Sequence, residues 1–173
     1  MLLQVLTQIL RGTPVWVFPL FLGLIFLGYL QSKPRELPPS RLSILPVALG
    51  ALSLSRVLSA FGPEPLALAA WAAGMAAALL LNSMLKQPAG ARWSAASGTF
   101  HVPGSWVPML LIMAVFFARY ALAVSLAMKP DLVHSAGFVS VAGFGFGLLS
   151  GMFTARAWWI WSQRPTPAVA YIS

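Results

Sequence analysis

"SWVPMLLIMAVFFARYALAVSLA" (Ser105–Ala127) carries a single charged residue, Arg119, in an otherwise apolar or small-residue run. A helix of about 20 mostly apolar residues crosses the hydrocarbon core of a bilayer, so this run reads as a membrane span. The whole chain agrees. Of its 173 residues 59% are hydrophobic and 8% charged, whereas a soluble domain carries about a quarter charged. So few charges cannot cover a water-facing surface.

Five spans are predicted, at 14–31, 42–61, 66–85, 105–127 and 134–156, forming one all-α polytopic membrane domain over residues 1–173. Proline and charge mark the breaks: "QSKPRELPPSR", "GPEP", "KQPAGARWSAASGTFHVPGS" and "MKPDL". With five spans, Lys33, Arg35, Arg41, Lys86, Arg92, Arg156 and Arg164 fall on one side, and Arg11 and Lys129 on the other. Basic residues collect in the cytoplasm, which places the N-terminus outside and the C-terminus inside a cell (inner) membrane. Trp158, Trp159 and Trp161 then form an inner interfacial belt, with Trp16 and Trp71 near the outer one. Residues before the first span, with Gln4, Gln8 and Arg11 at helical spacing, suggest a short interfacial helix rather than a cleavable signal. The loop "ARWSAASGTFHVPG" has two short stretches around Ser97-Gly98 that suit either a small β-hairpin or an irregular loop.

The net charge of +8 does not indicate nucleic acid, because the basic residues stand singly between apolar blocks rather than on one polar face. They suit anionic lipid head groups instead. The chain has no cysteine, which excludes disulfides, thiolate metal sites and cysteine nucleophiles. His101 and His134 fall on opposite sides of the membrane and cannot share a metal or haem. No paired carboxylates or Ser/His/Asp set occurs at membrane depth, and "GFGFG" lies inside a span rather than in a nucleotide loop. An enzyme is therefore the least supported class, and the residues do not identify a cofactor.

Arg56 and Arg119 are the charges within spans. Each lies fourteen residues from the start of its span, about 21 Å from the cytoplasmic boundary of a core about 30 Å thick. Both could snorkel to the outer head groups. Helical side chains lean towards the helix N-terminus, however, which for both spans is the cytoplasmic end, so the lean favours the bilayer interior. A central arginine costs about 2.5–3.5 kcal/mol, and the chain offers only Glu36, Glu64 and Asp131 as carboxylates. Within one helix Glu64 lies about 12 Å from Arg56, and Asp131 about 18 Å from Arg119, both too far for contact. Ser53 and Ser59 are placed to share the Arg56 donors, and Phe116 to offer Arg119 a ring face; Tyr120 adjoins Arg119. Arg56, Arg119, Ser53, Ser59 and Tyr120 are accordingly the anion-binding candidates, for a lipid phosphate, a cofactor group or a small anion.

Gly143, Gly147 and Gly151 repeat G-x-x-x-G on one helical face, and Gly74 lies between Ala70 and Ala78 on another. Such faces let helix backbones approach closely. An internal echo accompanies them: "ILPVALGALSLSRVL" and "WVPMLLIMAVFFARYAL" each place a proline before an arginine, and each precedes one of these small-residue helices.

The segments "SKPREL" and "PSRL" after the first span, and "SGTFHVPGSWVP" with "ARY" in the fourth, resemble small bacterial multi-pass inner-membrane proteins of the CcdC type, named after a cytochrome c biogenesis protein. That resemblance implies a membrane bundle near redox assembly and transfers no catalytic residue. Three functions are thus expected: a non-enzymatic module binding an anionic lipid, a cofactor group or a partner subunit; a small homo-oligomeric transporter or channel built on the glycine face; and, by resemblance alone, a cytochrome assembly factor.

Overall fold

The computed structural model describes residue 15 and residues 17–164. The expected N-terminal interfacial helix and Trp16 lie outside them. The chain is mostly helical: α1 (Val17–Gln31), α2 (Pro39–Phe61), α3 (Pro65–Leu85), α4 (Val107–Met128) and α5 (Ala136–Ser162). Prolines occupy the first turns of α2, α3 and α4, where the missing N–H has no partner to lose and the fixed φ already suits a helix. Gly62, at φ 70°, turns the chain out of α2. The four helices from α2 to α5 are long and apolar enough to cross a membrane; α1 is apolar but has 15 described residues. A 3-10 turn, Pro130–His134, joins α4 to α5.

The helical bundle carries one small sheet. Three short strands, β1 (Arg35–Leu37), β2 (Arg92–Ser94) and β3 (Thr99–Val102), form an antiparallel sheet in the order β1-β3-β2. The hairpin at Ser97-Gly98 accounts for β2 and β3. β1 comes from the loop after α1, so that loop and the one after α3 are bound together at one end of the bundle. Lys33, Arg35, Arg41, Lys86, Arg92, Arg156 and Arg164 all lie in elements that meet at this end.

Strand residues alternate between faces. Leu37, Phe100 and Trp93 stand side by side across the sheet and face the bundle, where Phe100, fully buried, packs with Leu42, Val102 and Ile160. Trp93 meets Phe100 edge-on at 4.7 Å, and Trp161 lies 6.3 Å from Phe100. The Arg164 guanidinium sits over the Trp93 ring at 5.0 Å. Trp161 thus seats the sheet on the end of α5, while Trp158 is exposed.

α3 and α5 pack most closely, and they run parallel. Gly143, Gly147 and Gly151 lie in turn against Ala67, Trp71 and Met75. A side chain at Gly147 would strike the Trp71 carbonyl, and one at Gly74 would strike the Phe144 carbonyl. Each glycine therefore meets the residue three positions before the partner's glycine, a reciprocal contact of the kind two-fold pairing produces. The glycine face is occupied within the chain. The outer helices are less symmetric: α2 packs along α5, whereas α4 packs along α1 as well as α5. Met109 lies on Gly28, and Phe21 meets Phe116 at 5.1 Å, together joining α1 to α4.

Candidate functional site

The structure gives Arg56 and Arg119 unlike surroundings. Arg56 is exposed and Arg119 partly buried. Their expected partners are engaged elsewhere. The Ser53 hydroxyl donates to the Phe146 carbonyl at 3.0 Å and accepts from Trp71 Nε1 at 3.1 Å. Ser59 donates to the Ser55 carbonyl. The Phe116 ring lies between Phe21 and Tyr120. The Trp71 indole N–H points at Ser53 inside the bundle. Arg119 Nε is buried without a hydrogen-bond partner beside a cavity of about 20 Å³, which it lines with Ser53 and Ser150. That space suits about one water molecule. It does not suit a phosphate or a head group.

A much larger cavity, about 540 Å³, lies at the sheet end between α1, α2 and α5. Ligand sites usually measure about 300–1,000 Å³ and are mostly apolar with a few polar groups. Leu27, Leu30, Ile44, Phe153 and Ile160 supply much of the apolar lining, and Arg35, Arg41 and Arg156 the charge. These arginines are graded by burial. Arg41, in the first turn of α2, is exposed; Arg35 is intermediate; Arg156 is 7% exposed. Arg35 Nη2 donates to Gln31 Oε1 at 3.3 Å, and burial holds its pKa below the usual arginine value. Arg156 Nη1 is buried without an acceptor. Arg35 and Arg156 both line the cavity, so two like charges share the same apolar chamber.

Strand alternation explains why no carboxylate relieves them. Arg35 and Leu37 turn to the bundle, and Glu36 between them turns away, paired across the sheet with His101. Its Oε2 accepts from Thr99 Oγ1 at 3.1 Å. Glu64 and Asp131 sit at the opposite end of the bundle, in the turns beyond α2 and α4. The charged residues lining the cavity are all positive, and most of the remaining lining is hydrocarbon, a setting chemically suited to a negatively charged group attached to an apolar body.

A family model matches residues 2–164. The chain belongs to DUF6622, a family of unknown function. Comparison with curated proteins and with solved structures returned no match. The cavity of this DUF6622 chain was not legible as a site because Arg156 closes the predicted fifth span, where it reads as a cytoplasmic border charge. α5 instead runs on to Ser162, which carries Arg156 inside the bundle. The apolar "AWWIW" directly after Arg156 is the feature that could have revealed the extra turns.

Proposed function

We propose that this protein is a non-enzymatic, multi-pass inner-membrane protein that binds an anionic group on an apolar body, through Arg156 with Arg35 and Arg41. The observation that carries the reading is the buried, unpartnered Nη1 of Arg156 in a chamber without a carboxylate. A buried charge left alone is strongly unfavourable, and a guest anion removes that penalty. A guanidinium offers paired donors that fit a phosphate or carboxylate.

The reading includes five spans, with the N-terminus outside and the sheet in the cytoplasm. Supporting it are the apolar character of α1, the even alternation of the helices about the sheet, and the gathering of basic residues at one end, where anionic lipid is also richest. A pore lined by glycine is not proposed, because α3 covers that face.

The test is the mass of the protein released from membranes in mild detergent. The wild type is expected to retain an anionic amphiphile, Arg156→Lys to retain less, and Arg156→Leu to retain none while staying folded. Equal retention by Arg156→Leu and wild type overturns the proposal.

A further inference from the structure

We infer that the cavity is loaded sideways from the bilayer through the gap between α1 and α2, and that its occupant is a membrane lipid whose anionic head lies at Arg156 and whose acyl chains pass out through that gap. The inference rests on the reading of Arg156 as an anion-binding group and adds the source and route of the ligand.

Three observations carry it. First, among the described residues α1 packs along α4 and makes no extended contact with α2, so these two walls of the cavity are not sealed together. Second, the residues on either side of this gap both line the cavity and stand exposed: Leu27 is 46%, Leu30 47% and Ile44 65% exposed. They lie within about two turns of the sheet end, where the hydrocarbon core gives way to head groups. Third, other sides of the chamber are packed. The sheet closes its end through Leu37, Phe100 and Val102. Gly104 lies so close to the Ser32 carbonyl and the Pro34 backbone that no side chain fits between the two loops. Gly28 lies similarly against Met109.

Volume and charge then identify the guest. A chamber of about 540 Å³ is of the size that takes a drug-sized ligand, enough for a head group with part of a chain. A two-chain lipid with its head at Arg156 would leave chain outside such a chamber, and the apolar opening between α1 and α2 gives that chain a way out. A free inorganic anion would need no such opening and would leave most of the chamber empty. The arginine gradient supplies the path for the head: Arg41 at the exposed rim, then half-buried Arg35, then Arg156.

The experiment uses the full chain, delipidated and reconstituted in bilayers of dioleoylphosphatidylcholine containing a minor fraction of dioleoylphosphatidic acid. Retained phosphatidic acid is then measured by mass, and inorganic phosphate is offered in a separate arm. The wild type is expected to retain phosphatidic acid despite excess phosphate. Ile44→Trp, which places bulk in the gap at a solvent- or lipid-facing position, is expected to reduce retention about tenfold with an unchanged melting temperature. Leu30→Trp provides the same test from the α1 side. If Arg156→Leu loses the lipid while both tryptophan variants load like wild type, the route is wrong and the anion reading stands. Displacement of the lipid by inorganic phosphate overturns the assignment of the ligand as a lipid. Retention by Arg156→Leu overturns the anion reading and the route together.

Discussion

An arginine in an apolar helix can reach water or gain a partner, and where neither happens its charge stands uncompensated. Arg56 is exposed, Arg119 lies beside a space for one water, and Arg156 is enclosed in a chamber with room for a guest. Depth from a span boundary, which is what sequence provides, singles out Arg56 and Arg119. It cannot tell which way a guanidinium points, and it passes over Arg156 because the end of α5 is misplaced by six residues. Removing the Arg156 charge should raise the melting temperature of the empty protein, since an unpaired buried charge opposes folding; a thermal scan of delipidated Arg156→Leu against wild type checks this. Ser53 makes the opposite case. It holds Trp71 Nε1 and the Phe146 carbonyl at once, a role invisible without the fold. Ser53→Ala leaves the indole N–H without its acceptor and should cost about 1–3 kcal/mol, measured as a lowered melting temperature with lipid retention unchanged.

Among elements, the long helices were legible because apolar runs broken by proline and charge leave little choice of boundary. The spacing of Gly143, Gly147 and Gly151 marked one face of α5 before its partner was known. The reciprocal meeting with Gly74 needed the structure, because sequence fixes which face is narrow but not which helix fills it. Gly147→Leu should force α3 and α5 apart at the Trp71 carbonyl and destabilise by about 1–3 kcal/mol; an unchanged melting temperature would contradict the packing. β1 was missed for a different reason. Three residues, Arg35 to Leu37, are too few for an alternating pattern to register, and the strand exists because β3 offers it an edge.

For the whole molecule, the sheet makes two distant loops neighbours and so ties the placement of one to the other. Cysteines at Ser97 and Glu64, exposed at opposite ends of the described bundle, should react with an impermeant reagent from opposite sides of the membrane, Glu64→Cys from outside. Labelling of Ser97→Cys from outside would invert the orientation. The same connectivity sets a timetable. Thr99 follows Glu36 by 63 residues, so β1 leaves the ribosome long before the hairpin that will hold it, and waits at the membrane surface with its backbone groups open. The chamber waits longer still, because Arg156 and the wall around it belong to α5. Every nascent form of the chain that lacks α5 is therefore without Arg156, and under the proposed reading the chamber can take up an anion only after α5 has been made.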